Sequence, residues 1–185
     1  GTANVVDACL KCGVRRLAHV SSIEALLHKG VSKPVDEQNP PAPESVKNAY
    51  GRTKALGERK ILEGVKSGLD AVIINPTAII GAYDFKPSHF GQMFLDFAQR
   101  KLPALVTGGF DLVDVRDVVS GLLAACEKGK TGERYLISGE FVTLVQIGRM
   151  LERLTGTPSP RVTMPMWLAA PSAWFTPPFY YLTGK

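Results

Sequence analysis

The chain has 185 residues, 45% of them hydrophobic and 21% charged, a balance that fits about one globular domain and excludes a disordered chain. Lys and Arg number 22 against 17 Asp and Glu, for a net charge of +5, which permits an anionic ligand such as a nucleotide. The basic residues are dispersed, without the aromatic-interleaved stripe that a nucleic-acid surface needs.

From Gly1-Thr2 the chain runs straight into Asn4 to Leu10, an apolar stripe at helical spacing that stops at Gly13. A chain that opens inside a helix is expected to be the later part of a longer protein. Leu17 to Val20 reads as a buried strand ending at Ser21-Ser22. Residues 28 to 48, punctuated by Pro34, Pro40, Pro41 and Pro43, read as a long surface loop, a length usually tied to function or mobility. A helical pattern covers Ala49 to about Val65, and Ala71 to Ile74 is a second continuous apolar strand closed by Asn75-Pro76. This alternation of helices with continuously apolar strands predicts an α/β fold, a parallel sheet covered on both faces.

After Gly81 the rhythm loosens. The pattern predicts a helix over Phe90 to Arg100, short strands at Ala104 to Val106 and Phe110 to Val113, and a helix over Asp114 to Glu127. Arg134 to Ile137 is a strand candidate, and Thr143 is placed to cap a helix through Leu154 that Gly156 ends. No apolar run reaches the ~20 residues of a membrane span, and no secretory leader opens the chain. Three scattered cysteines are too few for a disulfide framework, so a reducing, cytoplasmic setting is expected.

Tyr50 and Lys54 carry the strongest chemical signal. A spacing of four near the start of a helix puts both side chains on one face, one turn apart. Phenols are almost fully protonated at neutral pH, and a neighbouring ammonium favours the phenolate, which suits proton exchange with an alcohol or ketone. Ser22 closes a predicted parallel strand at the edge where open α/β sheets bind ligands, so its hydroxyl can reach the same substrate oxygen. A Tyr and a Lys four apart are common in helices by chance. A strand-terminal Ser-Ser, a long loop, the Tyr–Lys helix and then strand-Asn-Pro-Thr is a far less accidental order.

Five stretches together resemble the extended short-chain dehydrogenase/reductase family, also called the NAD-dependent epimerase/dehydratase family. They are Gly1 to Val5, Val20-Ser21-Ser22-Ile23-Glu24, Tyr50 to Lys54, Asn75 to Gly81, and Val113 to Val118. Within it, Ser-Ser-Ile-Glu and Asn-Pro-Thr-Ala-Ile-Ile-Gly are most similar to the dihydroflavonol 4-reductase and 3β-hydroxysteroid dehydrogenase branch. The resemblance implies a partial Rossmann-like, doubly wound parallel sheet with part of a small α+β substrate lobe. Residues 1–80 would be the second half of a dinucleotide-binding domain. Residues 81–185 would mix substrate lobe with returning Rossmann elements, incomplete at the C-terminus.

The family implies NAD or NADP as cofactor, with Tyr50 as catalytic acid/base, Lys54 on the nicotinamide ribose and Ser22 on the substrate oxygen. Pro76, Thr77, Ala78 and Ile79 would pass beside the nicotinamide, and Ser88, after Lys86-Pro87, matches a position that reaches the cofactor phosphate. The activity implied is hydride transfer between a nicotinamide and a carbinol or ketone carbon of a small molecule. The alternatives are a nucleotide-sugar epimerase or dehydratase and a non-catalytic dinucleotide sensor or scaffold. An intact Ser22, Tyr50 and Lys54 argues against the last of these. A homodimer of the full-length protein is compatible with the resemblance.

Three departures stand out. Gly81 is followed by Ala82 where the family usually has Pro, and the Asn that commonly precedes Gly-Thr is absent. No Gly-x-x-Gly-x-x-Gly occurs, so the loop that cradles a pyrophosphate at a helix N-terminus is missing. Three βα units of ~30 residues, roughly 80–100 residues in all, are expected upstream, and the 185 residues alone are expected to be inactive.

The remaining candidates have ordinary readings. Cys9-x-x-Cys12 lies on the striped helix without a second ligand pair, which favours buried or half-buried helix thiols over a redox or zinc site. His19, His28 and His89 fit no metal spacing. Asp114 and Asp117, flanking Arg116, read as carboxylates at a helix N-terminus rather than a catalytic pair. Trp167, Trp174, Phe175, Phe179, Tyr180 and Tyr181 are interrupted by prolines, which favours pocket or core packing over membrane anchoring.

Overall fold

The computed structural model describes residues 1–27, 33–43, 45 and 48–168. In chain order it forms helix α1 (Thr2–Lys11), strand β1 (Leu17–Val20), a 3₁₀ turn (Ile23–Ala25), α2 (Ala49–Lys66), β2 (Ala71–Pro76) and β3 (Ala78–Ile80). Then come α3 (His89–Ala98), β4 (Leu105–Val106), β5 (Gly109–Asp114) and α4 (Val115–Lys128). Last are β6 (Arg134–Ile137), β7 (Glu140–Thr143), α5 (Leu144–Thr155) and β8 (Thr163–Met164). Two compact units result, Gly1–Gly81 with Leu112–Gly139, and Ala82–Asp111 with the residues from Glu140 onward.

In the first unit, β1, β2 and β6 make a parallel sheet with β2 in the centre. Leu17 registers with Ala71, and Ile73 with Arg134. Every residue of β2 is buried, because helices cover both faces. Ala71 and Ile73 pack with Val6 and Cys9 of α1, Ile61 of α2, and Leu69. Val72 and Ile74 point the other way, onto Leu122 and Ala125 of α4. Complete burial of side chains such as Ile73 and Ile74 contributes about 1.5–3 kcal/mol each. A Cβ on Gly64 would sit 2.6 Å from Val6 Cγ1, so a glycine there lets α1 and α2 approach closely.

The end of this sheet where β1 and β2 begin is tied by Arg16. Its guanidinium pairs with Asp70 at 2.8 Å and donates to the carbonyls of Cys126 and Gly129, each at 2.9 Å, meeting acceptors that the end of α4 leaves open. Hydrogen bonds from Arg16 and Thr131 hold the Asp70 carboxyl below its ordinary range.

In the second unit, β4 and β8 pair in parallel, and α3 packs against α5. Helix α5 opens with a reciprocal capping box between Thr143 and Gln146 and closes at Gly156, whose φ of 69° is the left-handed cap that glycine tolerates. Phe90 meets Phe110 edge-on at 5.0 Å.

The α/β expectation holds: parallel strands lie under helices on both faces. The short elements β3, β7 and β8 and the 3₁₀ turn are findings of the structure, absent from the elements expected of the sequence. Part of the expected 28–48 loop is anchored. Leu26 bridges to Pro41, and Glu37 Oε1 accepts from the Leu136 N–H at 2.9 Å, occupying a backbone donor on β6.

Candidate active site

The strands of a parallel sheet all finish on one edge, and residues just beyond it are free to meet a ligand. Ser22 lies there, two residues past β1, and is buried. It caps the 3₁₀ turn, its Oγ accepting from the Glu24 N–H at 3.2 Å. Among the described residues the Ser22 hydroxyl has no acceptor, which leaves its proton for an incoming oxygen.

Tyr50 sits in the first turn of α2, behind Asn48, whose side chain accepts from the Tyr50 N–H at 3.1 Å. Asn48 Nδ2 donates in turn to Glu24 Oε2 at 2.8 Å, joining the helix start to the turn that follows Ser22. Gly51 makes that junction tight. A Cβ there would lie 2.5 Å from the Glu24 backbone oxygen, closer than atoms can pack. The Tyr50 ring is about half exposed (53%), as a group that meets substrate requires. Lys54 stands one turn on, its Nζ 5.7 Å from the centroid of that ring and 3.2 Å from the Val20 carbonyl at the end of β1. The lysine therefore stands between the phenol and the strand end that leads to Ser22.

Beneath this pair lies a layer of buried polar groups. Glu58, fully buried, accepts from Asn75 Nδ2 at 2.6 Å and from Arg134 Nε at 2.8 Å. Asn75 Nδ2 also donates to the Ser22 carbonyl at 2.8 Å. Glu58 and Arg134 stood outside the sequence reading; the available signal was a carboxylate four residues after Lys54, in line with Tyr50.

His19 borders the same layer, its Nε2 buried without a partner among the described residues. Burial pushes this imidazole below its ordinary 6.5, Glu58 pulls it back up, and Lys54 adds to the fall. The unfolded chain therefore takes up the proton first. Stability from this group is full above pH 6.5 and is lost as the pH drops through 6.5 to the lower folded-state value. NMR titration of the histidine ring protons checks this: a His19 midpoint below 6.5 is expected, and one at or above 6.5 contradicts it.

With the geometry described, comparison with known proteins decides the family. Residues 1–138 match the model of the NAD dependent epimerase/dehydratase family. The chain belongs to that family. It is 38% identical over 178 residues to a Synechocystis protein that carries the name of a dihydroflavonol 4-reductase, covering 94% of this chain and 52% of that protein. Sterol demethylase protein B of Methylococcus capsulatus is 42% identical over 167 residues, covering 89% and 50%. The crystal structure of gox2253 superposes with a TM-score of 0.85 at 33% identity, covering 99% of this chain and 56% of the other. The chain spans about half the length of the curated relatives it matches.

The donor set fits one end of the dinucleotide that the family name implies. An ammonium beside a half-exposed phenol, bonded to the Val20 carbonyl two residues before the Ser22 hydroxyl, suits ribose hydroxyls and a reacting carbonyl. Pro76 ends β2, and buried Thr77 donates its N–H to the Ile137 carbonyl at 3.0 Å. Ala78 and Ile79 run on in β3, paired with Leu112 and Val113, and Ile79 is partly exposed.

Ser88 belongs to the second unit, where it caps α3. Its hydroxyl donates to Asp84 Oδ2 at 2.9 Å and accepts from the Gly91 N–H at 3.1 Å. Asp84 thus supplies the negative charge that a helix N-terminus favours.

The other candidates take structural places. Cys9 is buried in the core, Cys126 is half-buried, and Cys12 is exposed at the cap of α1 rather than inside the helix; all three are free thiols. Asp114 caps α4 by accepting from the Arg116 N–H at 2.8 Å, and the Arg116 guanidinium beside it pulls its carboxyl down to about 2. No group of three His, Cys, Asp or Glu among the described residues could hold a metal ion. No helix among them is long and apolar enough to cross a membrane. Trp167 is exposed. His28 and the aromatic cluster from Trp174 to Tyr181 lie outside the described residues.

Proposed function

We propose that a full-length enzyme carrying this chain is an NAD(P)-dependent oxidoreductase acting at a carbinol or ketone carbon of a small molecule. The observation that carries this reading is the Lys54 ammonium 5.7 Å from the Tyr50 ring and bonded to the strand end before Ser22. A bound nicotinamide supplies or accepts the hydride.

Ser22 donates its hydroxyl proton to the substrate oxygen and orients it. Tyr50 gives its phenolic proton to that oxygen during reduction and takes it back during oxidation. The Lys54 charge stabilises the negative charge that develops on the phenol oxygen, and its ammonium also holds the ribose hydroxyls. Backbone groups of Pro76 to Ile79 meet the carboxamide. By the family resemblance Ser88 would serve the cofactor phosphate, its hydroxyl turning to it from the Asp84 carboxylate. The reductase name of the Synechocystis relative supports this reading over transient sugar oxidation.

The full-length enzyme, incubated with reduced cofactor and panels of ketones and nucleotide sugars, tests the proposal. Stoichiometric loss of reduced cofactor with ketones is expected. Turnover of nucleotide sugars without net cofactor consumption would replace it with the epimerase reading.

A further inference from the structure

Glu58 has no part in the chemistry just described, yet its surroundings join every element that supplies a residue of the catalytic trio. It follows Lys54 by one turn, so Tyr50, Lys54 and Glu58 form a single stripe along α2. The carboxylate is completely buried. One oxygen accepts from Asn75 on β2 at 2.6 Å, and the other accepts from Arg134 on β6 at 2.8 Å. The same Asn75 amide donates to the Ser22 carbonyl at 2.8 Å. Arg134, Glu58, Asn75 and Ser22 are thus one unbroken chain of contacts, from β6 through α2 and β2 to the second residue past β1.

We propose that Glu58 is a positioning residue, holding the helix that carries Tyr50 and Lys54 in register with Ser22 through Asn75. Burying an ion pair is costly, and well-packed apolar residues of similar volume are often at least as stabilising. An ionic contact, however, has direction where an apolar one slides. The two oxygens of Glu58 are aimed at different strands, so α2 can neither rotate nor slide along the sheet without breaking one of these bonds. Such displacements are the kind that move Tyr50 away from a substrate oxygen held by Ser22. Misplacing a catalytic group by about 1 Å can cost ~10²-fold in rate.

The inference rests on the reading of Tyr50, Lys54 and Ser22 given above. Its test uses the full-length enzyme and three variants, Tyr50→Phe, Asn75→Ala and the double change Glu58→Met with Arg134→Met. The paired change removes both charges together, so no unpaired charge is left buried. A melting temperature near wild type is expected for it, with kcat per folded molecule lower by about tenfold or more and a smaller loss of cofactor affinity, since Lys54 rides on the same helix as Tyr50. Asn75→Ala should show a similar kcat loss, and combining it with the pair should add little further loss, as members of one network do.

Unchanged kcat per folded molecule, with or without a fall in melting temperature, would overturn the inference by reducing Glu58 to a stabilising group. Fully additive losses would overturn it too. Should the Met pair fail to fold, Asn75→Ala alone decides by the same kcat reading. Retained activity in Tyr50→Phe would instead sink the underlying assignment, so the two failures are distinguishable.

Discussion

Replacing Tyr50 by Phe in the full-length enzyme lowers kcat by about 10²–10⁴-fold while cofactor affinity changes little. The size follows from what general acid–base catalysis typically contributes, about 3–5 kcal/mol of barrier at ~1.4 kcal/mol per decade. The ring sits about half exposed at the start of α2, so Phe keeps its packing and loses only the hydroxyl. Lys54→Ala is expected to harm both quantities, since in the proposed reading the ammonium beside the Tyr50 ring also holds the cofactor ribose. Steady-state kinetics with parallel cofactor titrations separate the two effects. A Tyr50→Phe enzyme with near-full turnover contradicts the assignment.

Gly51→Ala is the second change with a large expected effect, although it removes no chemical group. Two terms oppose each other. Alanine in place of glycine inside a helix gains roughly 0.5–1 kcal/mol. Against that, the new Cβ lies 2.5 Å from the Glu24 backbone oxygen, and backbone in the turn after Ser22 cannot yield as a flexible side-chain tip would. Overpacking of this kind costs about 1–3 kcal/mol, so destabilisation wins. Relief comes from moving the first turn of α2 outward, and Tyr50 goes with it. Thermal melting and kcat check this together. Both should fall, kcat by about tenfold or more if the phenol shifts by an appreciable part of an ångström. An alanine variant with wild-type melting and turnover would contradict the close packing at this junction.

How much could be read in advance follows from range and length. The central strand was legible because a strand covered on both faces must be apolar throughout, and Ala71 to Ile74 is. The Thr143 cap and the Gly156 stop were legible because both are local chemistry. The proximity of Tyr50 and Lys54 needs only helical periodicity, since at ~3.6 residues to a turn positions four apart share a face. The layer beneath them is a different matter. Glu58, Asn75 and Arg134 are 17 or more residues apart, and only the sheet brings β6 beside β2.

Gly51 was equally opaque, since a glycine in a helix reads as a weak helix former until the Glu24 oxygen is seen where a Cβ would have to pack, 2.5 Å away from it. Ser88 was matched to a position that reaches the cofactor phosphate, and its bond to Asp84, four residues upstream, is a local detail that no such match carries. Strands β7 and β8 are short and have polar residues among the apolar ones, so no continuous apolar run marks them as one marks β1. Cys12 was read as inside its helix and stands at the cap instead, a shift of one residue at an end where helices fray.

The central claim is that Tyr50, Lys54 and Ser22 serve a net hydride transfer to a carbonyl carbon. The most direct test supplies the full-length enzyme with reduced cofactor carrying deuterium at the transferable position, together with a ketone that it consumes. The account predicts deuterium on the carbinol carbon of the product, one atom per cofactor oxidised, with transfer slowed about 10²–10⁴-fold in Tyr50→Phe. Product without deuterium, or transfer at an undiminished rate in the Phe variant, would contradict it.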